Sequence, residues 1–382
     1  MPTLEERLKY NLISADNHVI EPPHTYDRVP ARLRDKAPKV LPTPDGGEGW
    51  TFDGKTPKVS FSPPNKLLSE GGYKFEQVRK GNWDGAAHLR DMAEDGCDAA
   101  VIYPMITREA YAFEDRELGI ACMQSYNDWL LEEFCAPDPN RLISVCPVPV
   151  DDGVQAMMAE AERVAKKGAK AFFLPYYPQR PYYDYYYDPL WQFCSETGIV
   201  ASLHHMFGGR RPTPARPPVP GIDPLNLSAS STVKSYFSSI EHMTDIILTG
   251  VFQRHPKLKF LHAEVNLGWA AYWMQQMHLT VNRHRMREST PWYPNMPTYT
   301  PEEHVGTNVF FTMLDDQLGF DLARENKQLA NAGMYSTDYE HSITLWPKSA
   351  EYIERLTKGM EPALKHKLLA GNCVRVFNLP EE

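Results

Sequence analysis

The chain has 382 residues, 42% of them hydrophobic and 23% charged. That is ordinary globular composition and excludes a mostly disordered protein, and a chain this long buries a large core without disulfide staples. Its formal charge of −9 argues against tight nucleic-acid binding, which needs a basic face to displace counterions.

No apolar run approaches the roughly 20 residues of a membrane span. The opening MPTLEERLKY carries no signal-peptide apolar stretch. Cys97, Cys122, Cys135, Cys146, Cys194 and Cys373 are scattered without a CxxC pair, and read as reduced core residues of a cytoplasmic protein. The 33 prolines and 20 tyrosines predict stiff, aromatic-lined loops over a regular scaffold.

In chain order, eight short apolar runs read as strands: 12–16, 99–104, 142–149, 169–175, 198–205, 258–264, 308–313 and 333–338. Near-continuous apolar runs suit parallel strands covered on both faces. Between and after them, periodicity predicts helices over 84–95, 117–134, 154–167, 266–287, 315–330, 346–357 and 362–370. Asp84 is the expected N-cap of the first. This alternation predicts an α/β fold, a (β/α)8 TIM-like barrel. An open doubly wound sheet is disfavoured because no Gly-rich phosphate turn follows the first strand. Residues 28–80 read as an insertion after strand one, and 209–227 as a long loop inserted after strand five. The expectation is a single barrel domain over 1–382 that contains the 28–80 insertion.

Ionisable residues gather at the C-terminal ends of these strands. Strand one ends in Asp16-Asn17-His18, followed by Glu21; strand five ends in His204-His205. Strand six ends in His262-Ala263-Glu264, and strand eight in Asp338 with Glu340 and His341 beyond. Residues i and i+2 of a strand share a face, so Asp16 and His18 can both look into the barrel mouth. Alone, Asp16 is a turn residue, Glu21 a solvated loop acid and Asp338 a helix cap. Together, four strands ending in imidazole and carboxylate predict a divalent metal site. The expected ligands are Asp16, His18, Glu21, His204 (or its neighbour His205), Glu264 and Asp338. A thiolate-free set of this kind suits Zn, Mn or Fe, as one ion or as two bridged by a carboxylate. Glu264 and His341 are the candidates to move a proton, with His262 and His205 beside them. The tyrosine tract 176–187 and Arg210, Arg211 and Arg216 form either an aromatic and cationic substrate rim or a packing loop with solvated arginines.

The segments ADNHVIEP (15–22), YDPLWQFCSETGIVASLHH (187–205), GVFQRHPKLKFLHAEVNLGW (250–269), STDYEHSITLWP (336–347) and LLAGNCVRVFNL (368–379) resemble the amidohydrolase-related metal-dependent hydrolases. That family includes aminocarboxymuconate-semialdehyde decarboxylase and related non-oxidative aromatic decarboxylases. The resemblance implies a distorted barrel with metal at the strand C-termini. It places the family's strand-five histidine on His204 and its strand-eight aspartate on Asp338. The usual His-x-His of strand one is Asp16-x-His18 here, and Glu264 stands where the decarboxylases have a catalytic histidine.

The expected activity is that of a metal-dependent hydrolase on a small carboxylate- or carbonyl-containing substrate, by C–N or C–C hydrolysis or non-oxidative decarboxylation. A dinuclear iron or manganese oxygenase on the same barrel is the alternative, motivated by the extra acids Glu21 and Glu264. An inactive partner subunit is the third reading, motivated by Asp16 in place of a histidine. The expected partner is a small molecule, with no nucleic acid and no membrane. A homodimer is the expected assembly, and a hetero-oligomer with a paralogue its alternative.

Overall fold

The computed structural model describes residues 10–52, 59–60, 72–210, 221–285, 300–341 and 343–380. The strands in chain order are β1 (Ile13–Val19), β2 (Lys39–Pro42), β3 (Glu48–Thr51), β4 (Val59–Ser60), β5 (Ala99–Pro104) and β6 (Leu142–Pro147). They continue with β7 (Ala171–Phe173), β8 (Val200–His204), β9 (Phe260–Ala263), β10 (Val309–Met313) and β11 (Gly333–Tyr335). β1 and β5 to β11 lie side by side in that order, and every laddered pair is parallel. With helices between them they form a nearly closed (β/α)8 TIM-like barrel.

Each expected strand is present because its apolar run is covered from both sides. All residues of β1, β5, β6, β8, β9 and β10 are buried. A fully buried Val, Leu or Ile contributes about 1.5–3 kcal/mol, so these runs dominate the core. β1 is longer than expected and continues to Val19, so Asp16 and His18 lie inside the strand. Its register against β5 shifts between Ser14 and Asn17. The bulge opens room on the barrel face at that point.

β11 and β1 meet without a ladder among the described residues. Side chains and isolated backbone bonds close this joint. Asp338 N donates to Asp16 O at 3.0 Å and His18 N to Tyr339 O at 2.6 Å. Thr337 N donates to Ser14 Oγ at 2.9 Å, and Asn17 Oδ1 accepts from both Ser14 Oγ and Thr337 Oγ1. Behind them His88 is fully buried. Its Nδ1–H donates to Gly81 O at 2.8 Å, which leaves Nε2 to accept from Asn17 Nδ2 at 3.1 Å.

Asp84 caps the helix Gly85–Glu94 through Ala87 N, as expected. The 315–330 pattern resolves into two helices, Gln317–Glu325 and Lys327–Ala332, because the Asn326 side chain caps the second through Leu329 N. Two helices after β8, Pro224–Ser235 and Ser239–Leu248, were not expected. The first is rich in Ser and Thr and exposes Leu227 and Val233, so its apolar stripe is weak. Most of the long loop expected over 209–227 lies outside the described residues, and its last positions belong to the helix that begins at residue 224. Between β1 and β5, β2, β3 and β4 form a small antiparallel sheet in the stretch read as an insertion. All six cysteines are buried and free of disulfides. No helix among the described residues is long and apolar enough to cross a membrane.

Candidate metal centre

Asp16 and His18 from β1, His204 from β8 and Asp338 from the turn after β11 gather at the barrel mouth around the His18 ring. His204 Nε2 lies 3.1 Å from Asp16 Oδ1, and His18 Nε2 lies 3.4 Å from both Asp16 Oδ1 and Asp338 Oδ1. Asp16–His18–His204 and His18–Asp338–His341 each offer donor atoms within 4.8 Å of one another. The four convergent residues are almost wholly excluded from solvent. Yet Asp16 Oδ2, both ring nitrogens of His18, His204 Nδ1 and both Asp338 oxygens have no hydrogen-bond partner. Buried polar groups are normally satisfied. Apart from the contact between His204 Nε2 and Asp16 Oδ1, these buried polar atoms crowd together without partners, and such a set of imidazoles and carboxylates suits a divalent ion.

The protonation states follow from the same crowding. Burial alone would raise the Asp16 carboxyl, but the His204 and His18 imidazoles outweigh it and hold Asp16 well below the usual carboxylate range. Burial works the other way on His18, pushing it down with help from His341. Asp338 is pushed well up by burial and by the neighbouring Glu264 charge. Glu264 is also opposed by burial, yet its hydrogen bond and charge interaction with His205, with His204 behind, hold it at about 2. Burial lowers His341 to about 4.

The strand ends that deliver these groups are bent. His205, Glu264 and Asp338 all have positive φ, at 45°, 56° and 52°. Non-glycine residues rarely adopt this conformation, and where they do a site often requires it. The bend separates the two adjacent histidines: His204 faces Asp16, whereas His205 Nδ1 lies 3.1 Å from Glu264 Oε2. His341 stacks on His18 with ring centroids 3.9 Å apart and brings Nδ1 to 2.8 Å from Asp338 Oδ1. Tyr103 closes the floor, its ring 4.9 Å from that of His204 and its hydroxyl 2.8 Å from Ser202 Oγ.

Two expected site residues are placed differently. Glu21 is fully buried, but its carboxylate accepts from Ile106 N and Thr107 N, each at 2.9 Å. It clamps the turn after β5 and contributes no atom to the convergent groups. His262 donates from Nε2 to His205 O at 2.9 Å, which supports the bent backbone there. Glu264 sits beside the cluster, 3.8 Å from His204 Nδ1. The tyrosine tract divides: Tyr182 and Tyr187 are buried against Trp191, while Tyr177 and Arg210 line two adjoining cavities of about 410 and 360 Å3. No residue of the cluster lines either one. Arg211 and Arg216 lie outside the described residues.

Three neighbours of the centre were missed in the sequence. Tyr236, after the helix Pro224–Ser235, is raised to about 12 by burial and by the charges of Glu264 and Asp338. Phe207 stacks on His204 with centroids 5.4 Å apart. Arg108, on the turn after β5, lies over Phe207. A basic residue just past a strand's C-terminal end was the available signal.

Residues 17–379 match the family model described as Amidohydrolase. The chain belongs to the amidohydrolase family. No curated protein sequence matches it. The fold of this family member is similar to that of an amidohydrolase from Mycobacterium avium subsp. paratuberculosis K-10, with a TM-score of 0.72 and 18% identity over 96% of this chain and 98% of that one. It is also similar to 5-carboxyvanillate decarboxylase from Novosphingobium aromaticivorans DSM 12444, solved with manganese and a nitrobenzoic acid, at a TM-score of 0.66 and 18% identity over 97% of each chain. The 2,6-dihydroxybenzoate decarboxylase from Rhizobium aligns at a TM-score of 0.62 and 17% identity, over 97% of this chain and 99% of that one.

Proposed function

We propose that this amidohydrolase-family protein is a metal-dependent enzyme that hydrolyses, or decarboxylates without oxidation, a small substrate bearing a carbonyl or carboxylate group. The observation that carries this reading is the pair of overlapping clusters that share His18, Asp16–His18–His204 and His18–Asp338–His341, with buried unpartnered polar atoms on each of Asp16, His18, His204 and Asp338. These four residues would hold the ion. Manganese, zinc and iron suit imidazole and carboxylate ligands, and manganese is present in the 5-carboxyvanillate decarboxylase structure. When bound, such an ion polarises a carbonyl or carboxylate oxygen and lowers the pKa of its water.

The chain's own groups supply the proton handling. Asp338, whose Oδ1 lies 3.4 Å from His18 Nε2, is placed to accept one. His341 Nδ1, 2.8 Å from Asp338 Oδ1, is suited to pass it on, since burial keeps its imidazole neutral near pH 7. Glu264 stays ionised beside His205 and orients that ring.

The test is to load purified protein with Mn, Zn or Fe and assay amides, lactones and hydroxybenzoates without oxygen. Metal-dependent turnover, with about one ion per chain, is the expected result. No turnover with any of these metals would overturn the proposal. The two-ion oxygenase reading draws on the overlapping triads that share His18. It loses support from Glu21, which is committed to backbone. Two iron or manganese ions per chain and strictly oxygen-dependent turnover would establish it instead.

A further inference from the structure

Arg108 is unusual for a buried cation. Its side chain is only 14% exposed, and the nearest carboxylate oxygen, Glu109 Oε1, is 3.9 Å from Nε. Nε and Nη1 are buried without any acceptor. A guanidinium deprived of water normally finds carboxylate or carbonyl partners, because unmet charged donors are costly. The acids Glu109, Glu21 and Glu264 favour its charge from a distance, against the burial that opposes it, but none accepts from these nitrogens. Two of the three guanidinium nitrogens therefore hold donors in reserve.

The side chain is also held in place. Glu21 clamps Ile106 N and Thr107 N, the two residues that lead into Arg108. Its Cζ rests 3.7 Å from the centroid of the Phe207 ring, and that ring stacks on His204. Guanidinium, phenyl and imidazole thus form a stack that runs from Arg108 to the candidate ligand His204. The Arg108 charge is felt at His341 and Glu264 beside the centre.

We propose that Arg108 is the anion anchor of this site, and that its unpaired N–H groups bind a carboxylate of the substrate. The inference rests on the metal-dependent reading of the centre and narrows it to an anionic substrate. A planar carboxylate matches the guanidinium's flat array of donors.

The probes are benzoate and its neutral isostere benzamide. Binding is measured by calorimetry and saturation-transfer NMR, on zinc-loaded protein and again after chelation. Wild type is expected to prefer benzoate by about tenfold or more, the scale of a charge-assisted hydrogen bond. After chelation, Arg108→Met should bind the two probes equally, with benzamide affinity unchanged and, in the loaded sample, zinc content unchanged. Arg108→Lys should keep part of the preference, and it decides the matter if the methionine variant does not fold. An unchanged preference in the variants overturns the inference, as does a wild type that binds neither probe or does not distinguish them. The chelated sample separates the two proposals. A preference that persists there supports Arg108 even if no metal-dependent turnover is found, and turnover of neutral substrates without the preference retains only the catalytic reading.

Discussion

Asp16 and His204 stand 188 residues apart in the chain, yet Oδ1 and Nε2 lie 3.1 Å apart in the fold. They meet because β1 and β8 are distant staves of one barrel whose strands all point the same way. Such an arrangement brings every strand's C-terminal end to one rim.

Asp338 separates the demands of stability from those of metal binding. Burial and Glu264 raise its folded pKa above the unfolded value. The native state then binds the proton more tightly, so ionised Asp338 weakens folding once the pH exceeds the unfolded pKa of about 4. In metal-free protein at pH 7, Asp338→Asn should leave the thermal midpoint unchanged or raise it. The same variant should abolish the stabilisation conferred by metal, which for wild type is about 2.7 kcal/mol at a hundred times Kd. Thermal unfolding with and without Mn or Zn checks both outcomes.

Glu21 tests the distinction between a ligand and a clamp. Glu21→Gln places an amide where two backbone donors expect only oxygen. We expect a loss of about 1–3 kcal/mol in urea unfolding, with metal content unchanged by elemental analysis. Loss of the metal at full stability would show that Glu21 is a ligand after all.

His88 predicts an acid-sensitive joint. Burial lowers its pKa to about 4, against about 6.5 unfolded. The unfolded chain therefore binds the extra proton first, and stability falls as the pH drops from about 6.5 toward 4. The largest loss from this group is about 3 kcal/mol. Urea midpoints across that interval should fall more steeply for wild type than for His88→Gln, which cannot take up the proton. Parallel curves would contradict the assignment.

His262 supports the bent backbone at His205. His262→Phe removes the donor to His205 O and should reduce activity or metal affinity by about 10–100-fold, as loss of a supporting partner does. The fold should survive by circular dichroism. Retained activity would show that the bend holds without this bond.

The barrel and much of its centre were legible because both depend on short-range pattern. The eight apolar runs specify buried parallel strands, and the i, i+2 spacing put Asp16 and His18 on one face. What stayed hidden depends on distant geometry. Glu21 looked like a ligand because it follows His18 closely, but its partners lie on a turn more than eighty residues away. The choice between His204 and His205 could not be made on a straight strand, since the chain turns to φ 45° at His205. Arg108 stood alone in the sequence, and only the Phe207 ring beneath it makes its setting visible.

Of the eight staves in the barrel, the first and last are joined by scattered bonds where the others are laced edge to edge. Asp16 and His18 stand on one side of that joint and Asp338 on the other. A cation held from both sides would rivet the hoop at its weakest point, tying the first and last strands together. Demetallation should then loosen β1 and β11 in concert, so their amides would exchange faster while those of β6 to β8 keep their protection.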